Sequence, residues 1–299
     1  LVCAEEQEKI AGNIRKEWIR ETFRNNKNLK VQVFKYKEND FPNTSVSDWE
    51  VSKIWSQVFK EYFKNEDFLV TSEEYGEMLS MIMDIDHFMY DENRENIPIS
   101  ASEIRENLFE NWNYLPLSVQ KYFALQVVFL GTESTGKTFL VNKLSDYFKS
   151  NKVLEAGRDL ISNSKEFDFN DLEKVYMEHT TRIENVNYQE SFLTLIDTDI
   201  HITKSYSEFI FGKKLIVPEE ICEKNKAQLY LYSTNDAEYI QDGTRLEIDD
   251  RNKLDESHRK VLNENRIVFK EISGTRSNRE KWAIRYIEEL ISEKAKLLM

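Results

Sequence analysis

Gly131-Thr132-Glu133-Ser134-Thr135-Gly136-Lys137-Thr138 decides how this chain is read. It has the phosphate-loop spacing in full: a glycine, four residues, then Gly-Lys-Thr. The flanks agree with it. Gln126-Val127-Val128-Phe129-Leu130 is a short apolar run that reads as a buried strand. Leu140, Val141, Leu144, Tyr147 and Phe148 then recur at helical spacing and predict a helix with one buried face. Strand, glycine loop and helix gather backbone N–H groups and the positive end of a helix dipole around a phosphate. Residues 131 to 136 would supply the N–H groups, Lys137 would neutralise the β- and γ-phosphates, and the Thr138 hydroxyl would hold Mg²⁺. The stretch predicts a nucleoside triphosphate site.

Downstream, Val153-Leu154-Glu155 reads as a short strand ending on a carboxylate, with Gly157 and Arg158 behind it. Phe192 to Ile196 reads as another, ending on Asp197-Thr198-Asp199. Ala227 to Tyr232 and Ile267 to Ile272 supply two more, and Gly274 closes the last. Trp282, Ile284, Ile287 and Leu290 mark a C-terminal helix. In a parallel sheet the ligand lies beyond the carboxyl ends of the strands, and Glu155, Asp197 and Asp199 fall there. Several acids converging on one phosphate site point to function for Glu155 and Asp197. Asp199 reads equally well as a helix cap. Asp242-Gly243-Thr244-Arg245, with Arg251 after it, reads either as a lid that closes arginines over phosphates or as a solvated charged loop.

Upstream, Ile10, Ile14, Trp18, Ile19 and Phe23 predict a helix within residues 5–25, and Lys30 to Tyr36 a strand. Ser47-Asp48-Trp49-Glu50 has the form of a capping box, opening a helix with Val51, Ile54, Trp55, Val58, Phe59, Tyr62 and Phe63 on one stripe. Phe68 to Thr71 reads as a strand, Met78, Leu79 and Ile82 as a short helix, and His87 to Tyr90 as a strand. Helix and strand alternate, so residues 1–98 are expected to form part of a parallel α/β sheet. Ser100 and Glu103 form a second capping box, and the same helix start, with Ser102 and Arg105, could hold a phosphate instead. Pro116, within residues 113–121, marks the expected boundary between two domains, 1–122 and 123–299.

Composition narrows the class. A charge of −13 with no basic run argues against a nucleic-acid partner held through phosphates. No apolar run approaches the ~20 residues of a membrane span, and residues 1–11 do not read as a signal peptide. Two cysteines, Cys3 and Cys222, are too few for a disulfide framework and suit reduced thiols in the cytoplasm.

Two blocks of motifs carry a resemblance to one family. The chain resembles the bifunctional NadR-type proteins, which join a nicotinamide mononucleotide adenylyltransferase to a ribosylnicotinamide kinase. Thr71-Ser72-Glu73-Glu74-Tyr75-Gly76 and Ile99 through Asn107 look like late adenylyltransferase motifs, and Trp49 and Trp55 follow its tryptophan spacing loosely. The phosphate loop, Glu155-Ala156-Gly157-Arg158-Asp159, Ile196-Asp197-Thr198-Asp199, Tyr206 through Gly212 and Asp242-Gly243-Thr244-Arg245 look like kinase blocks in the family order.

The resemblance implies an α/β chain: a partial Rossmann-like nucleotidyltransferase domain over 1–122, then a P-loop nucleoside kinase domain with a parallel sheet over 123–299. It implies transfer of the γ-phosphoryl of ATP to the 5′-hydroxyl of nicotinamide riboside, with Mg²⁺ on Thr138 and with Asp197 either serving Mg²⁺ through water or holding the riboside. Lys137, Glu155 and Asp197 would be catalytic. Arg245 and Arg251 would close on the ATP, and Arg158, Asp159 and Asp199 would bind the acceptor. Glu155 is the preferred general base, although the sequence does not separate it from Asp197. Ser100, Ser102 and Arg105 would be an ATP-binding remnant of the adenylyltransferase.

The departures are equally specific. That transferase needs a His-x-Gly-His or Thr-x-Gly-His motif near its start, and this chain has no histidine before His87 and no Gly-His pair. The first strand and glycine-rich turn are expected to be missing from a chain that begins at Leu1, so NAD synthesis from nicotinamide mononucleotide is not expected. An incomplete sheet leaves an edge that favours a homo-oligomer. Ser233 to Glu238 also lacks the acidic, proline-containing pattern usual ahead of the lid. Two other readings stay open: a kinase of another small nucleoside, and an NAD-pool sensor that binds nucleotides without catalysis.

Overall fold

Every strand pairing among the described residues is parallel, as the alternation of short apolar runs with helical stripes requires. The computed structural model describes residues 1–37, 39–42, 44, 46–63, 68–161, 167–236 and 248–296. The chain divides into two compact units, residues 1–118 and 119–297.

The first unit contains β1 (Val2–Glu5), α1 (Gly12–Thr22), β2 (Val33–Tyr36), α2 (Trp49–Tyr62), β3 (Phe68–Thr71), α3 (Tyr75–Met83), β4 (Asp86–Met89), α4 (Ala101–Glu106) and a 3₁₀ turn at Trp112–Tyr114. The expected single sheet is instead two separate pairs, β1 with β2 and β3 with β4. β1 is a strand that the sequence reading passed over, because a four-residue Val-Cys-Ala-Glu run carries little periodic signal. The cap of α2 also differs from expectation. Asp48, not Ser47, accepts from the Val51 amide at 2.9 Å, one position further along than the box requires. The Thr71–Gly76 motif has a steric basis. A Cβ on Gly76 would lie 2.0 Å from Thr71 Oγ1 and 2.5 Å from His87 Nε2, so only glycine lets α3 start against β3 and β4.

Helix α5 (Leu117–Phe123) leads into the second unit. There follow β5 (Leu125–Leu130), α6 (Lys137–Phe148), β6 (Asn151–Val153), α7 (Ala156–Leu160), α8 (Asp171–Glu184), β7 (Leu193–Asp197), α9 (Ile200–Phe211), α10 (Glu219–Lys224), β8 (Leu229–Ser233), α11 (Ile248–Glu264), β9 (Lys270–Ile272) and α12 (Arg276–Lys296). The strands form one sheet in the order β6-β7-β5-β8-β9. Val127, Val128, Phe129 and Leu130 of the central β5 are buried, as a strand covered by helices on both faces must be. One core layer joins Val128 and Leu130 to Ile196, Tyr230, Tyr232, Ile183 and Leu262. On α6, Leu140, Val141 and Leu144 are buried as expected, but Tyr147 is 60% exposed, so the apolar stripe stops short of the helix end.

The order has a functional result. β5 lies between β7 and β8, so the loop after Leu130 opens at the centre of the sheet. Phe129 pairs with Asp197 and Val153 with Ile196, so both acid-bearing segments leave the sheet beside that loop.

Candidate active site

The phosphate loop needs backbone shapes that most residues resist. Gly131 has φ +131°, Ser134 +61° and Gly136 +86°. A Cβ on Gly131 would lie 2.4 Å from the Ser233 carbonyl oxygen, so β5 can turn past the end of β8 only with glycine there. Side chains hold the loop carbonyls. Lys137 Nζ donates to Gly131 O at 2.8 Å and Thr132 O at 2.9 Å, Thr135 Oγ1 donates to Thr132 O at 2.8 Å, and Arg279 Nη1 donates to Thr135 O at 3.1 Å. Carbonyls turned away in this manner let a loop present its N–H groups to an anion. Thr132 and Thr135 are buried, so their side chains are struts within the loop.

Asp197, fully buried at the end of β7, meets the first turn of α6: Thr138 Oγ1 donates to its Oδ2 at 2.5 Å. Glu155 stands at the start of α7, where its side chain caps nothing. Burial pushes its carboxyl above the usual range and the Asp197 charge adds to this, against the pull of Lys137 and Arg158. Arg158 Nη2 lies 3.4 Å from Glu155 Oε2. Asp199 caps α9 and also lines the cleft on the Glu155 side. Its Oδ1 accepts from the His201 and Ile202 amides at 2.9 and 3.2 Å, and its Oδ2 lies 2.6 Å from His201 Nδ1. Burial acts to raise the Asp199 carboxyl, but His201 and these bonds outweigh it and hold it below the usual value.

Two clefts meet at the loop. One, of about 370 Å³, is lined by Glu155, Arg158, Phe167, His179, Asp199 and Tyr206 among others. The second, of about 730 Å³, runs along Thr138, Phe139, Asp236, Thr275, Arg276 and Arg279. Ser134, Lys137 and Arg158 line both. Tyr206 OH donates to Glu133 Oε1 at 3.3 Å, and burial, then Glu133, drives its phenol well above the ordinary value. Burial pulls the His179 imidazole below its usual value, against the opposing charges of Asp199 and Asp197.

Other expected residues fall elsewhere. Asp159 pairs with Arg182 Nη1 at 2.8 Å and lines neither cleft, because α7 turns it toward α8. Arg251 lies in the first turn of α11 and not in a loop; it is 3% exposed and donates to Thr132 Oγ1 at 3.3 Å, bracing the loop from behind. Asp242, Gly243, Thr244 and Arg245 lie outside the described residues. In the first unit Ser100 completes the capping box with Glu103, accepting from its amide at 3.1 Å, while Ser102 and Arg105 are exposed and line neither cleft. Arg276 and Arg279 have no local mark in the sequence, because their partners Phe139 and Thr135 lie far away along the chain. A helical stripe of Leu172, Val175, Tyr176, His179 and Ile183 was the available signal for His179.

The donor set around Thr138 fits Mg²⁺: a hydroxyl and a carboxylate oxygen side by side, both hard ligands. Among the described residues no group of three or more His, Cys, Asp or Glu forms a separate metal cluster. No described helix is long and apolar enough to cross a membrane.

A central parallel strand, a glycine loop with its carbonyls tied back, and a Lys-Thr pair opening a helix together define a P-loop nucleotide-binding domain. The chain belongs to the AAA domain family, whose model matches residues 126–279. It is also homologous to the trifunctional NAD biosynthesis/regulator protein NadR of Escherichia coli, at 28% identity over 269 residues, or 84% of this chain and 63% of that protein. The Salmonella typhimurium NadR matches at 27% over the same shares. The chain therefore spans just under two thirds of these relatives. Two NadR crystal structures, in complex with NR and with NAD and AMP-PNP, share the fold at TM-scores of 0.58 and 0.59. Both are 20% identical and cover 96% of this chain and 86% of theirs.

Proposed function

We propose that the chain transfers the γ-phosphoryl of ATP to the 5′-hydroxyl of nicotinamide riboside, giving nicotinamide mononucleotide. The observation that carries this is the pair of clefts sharing Ser134, Lys137 and Arg158, which suits a donor on one side and an acceptor on the other. The homology to NadR, with one relative structure holding NR and another AMP-PNP, supports the choice of substrates. By this reading residues 1–122 are the nucleotidyltransferase part and 123–299 the kinase.

Phosphoryl transfer depends mostly on positioning and charge neutralisation. The loop N–H groups and Lys137 would bind the β- and γ-phosphates, with the nucleoside of ATP toward Arg276 and Arg279. Thr138 and Asp197 would hold Mg²⁺, which when bound neutralises phosphate charge. Glu155, on the acceptor side with a raised carboxyl, would take the proton of the attacking hydroxyl. Arg158 would steady the γ-phosphate between the clefts. The test is turnover of γ-labelled ATP across a nucleoside panel. Preference for another nucleoside overturns the acceptor, and no transfer to any nucleoside overturns the kinase.

For the first unit we propose no adenylyl transfer by these 299 residues alone. Such chemistry needs imidazoles at the phosphates, no histidine precedes His87, and His87 Nε2 is 2.8 Å from Thr71 Oγ1. Robust NAD formation from nicotinamide mononucleotide and ATP would overturn this.

A further inference from the structure

Arg279 is among the largest fully buried side chains of the described residues, at 2% exposure, although it lines the second cleft. A buried guanidinium is retained only where its donors are all directed at partners. Here they are. Nε donates to Gly274 O at 2.9 Å, Nη1 donates to Thr135 O at 3.1 Å, and Nη2 pairs with the Asp236 carboxylate. Asp236 is itself tied down, its Oδ2 accepting from the Gly274 amide at 2.7 Å and its Oδ1 from Thr234 Oγ1 at 2.5 Å. One side chain therefore joins three pieces of chain: the phosphate loop just ahead of Gly136, the segment after β8, and the turn between β9 and α12.

We propose that Arg279 is a positioning residue for the nucleotide, acting through the Thr135 carbonyl and Asp236 to hold the phosphate loop in register with the Gly274–Arg276 wall. The proposal rests on the reading of this cleft as the ATP side. Its chemistry follows from the bonds. Holding Thr135 O keeps that peptide turned so that the Gly136 amide faces the loop interior. Holding Gly274 by both its amide and its carbonyl fixes where Thr275 and Arg276 meet a nucleoside. Acceptor binding uses neither contact, so the effect should fall on one substrate only. A lysine would keep the charge but could not reach all three partners at once.

The test uses the full chain with AMP-PNP and Mg²⁺ as probe, titrated calorimetrically, beside steady-state kinetics with nicotinamide riboside. Arg279→Lys should weaken AMP-PNP binding by about tenfold or more, the scale of a lost charge-assisted bond, with the KM for riboside within about twofold of wild type. Asp236→Asn keeps the shape of a half-exposed side chain and should fold if Arg279→Lys does not; it should weaken AMP-PNP by several-fold. Unchanged AMP-PNP affinity in both variants, or equal loss of affinity for both substrates, overturns the brace. A wild-type chain that binds AMP-PNP but phosphorylates no nucleoside overturns the proposed function and leaves the brace to be decided by AMP-PNP affinity. No AMP-PNP binding by wild type overturns both.

Discussion

Thr138 Oγ1 and Asp197 Oδ2 stand 2.5 Å apart across 59 residues of sequence. The first turn of α6 and the end of β7 are thus joined at the point where a phosphate-bound cation would need hydroxyl and carboxylate oxygens together. Under the proposed function this contact favours Asp197 for the cation and leaves the acceptor hydroxyl to Glu155, two roles that the sequence alone left exchangeable.

If Asp197 serves the cation and Glu155 the acceptor hydroxyl, their neutral variants should fail differently. Asp197→Asn should raise the Mg²⁺ needed for half-maximal rate. Glu155→Gln should cut kcat by about 10²–10⁴-fold, the usual weight of a general base, with the Mg²⁺ requirement nearly unchanged. Titrating Mg²⁺ against rate for both proteins decides it, and the reverse pattern would exchange the roles.

Lys137 is buried with its ammonium on two loop carbonyls. Lys137→Ala should remove phosphorylation of nicotinamide riboside while leaving a cooperative melt. A variant keeping more than about a tenth of wild-type turnover, a margin of ~1.4 kcal/mol, would exclude the assigned role.

Glu155 also makes a prediction about stability. Its carboxyl is raised in the fold, so the folded chain binds a proton there that the unfolded chain has already released. That contribution is complete below the unfolded value and is lost as pH rises through the folded one. Glu155→Gln carries no such loss, so its melting temperature relative to wild type should increase from pH 4 to pH 8. A difference independent of pH would contradict the raised value.

Asp199 behaves oppositely. Its carboxyl is held low by His201 and the cap, so its contribution is present above the unfolded value and lost as pH falls through the folded one. Asp199→Ala should destabilise by about 0.5–2 kcal/mol as a lost cap, and somewhat more because His201 loses its buried partner. Thermal melts at pH 7 give the measurement. A stable variant with a raised riboside KM would instead return Asp199 to the acceptor site.

What the sequence disclosed follows from distance along the chain. The phosphate loop was legible because its glycines answer to local backbone shape, the positive φ of Gly131 and Gly136. The strands on either side of it were legible because burial on both faces leaves unbroken apolar runs. Arg279 was not legible, since its bond to Thr135 spans 144 residues and no pattern near position 279 hints at it. Arg251 was misplaced in a loop because, after Ile248, the first turn of α11 is Asp249, Asp250 and Arg251, and the next apolar residue is Leu254. The pairing of the N-terminal strands went unread for a related reason. Four-residue strands state that they are strands, but not which neighbour they choose.

The residues common to the two clefts carry one last implication. Ser134, Lys137 and Arg158 border both spaces, so the two clefts meet at these three side chains. If the proposed function holds, a single molecule with a nucleoside at each end of a polyphosphate chain would run from one cleft into the other past Lys137. Its second end would bind as an intramolecular event, at millimolar effective concentration for a short linker. The length of polyphosphate that binds tightest would then measure, from outside, the distance that a phosphoryl group has to cross.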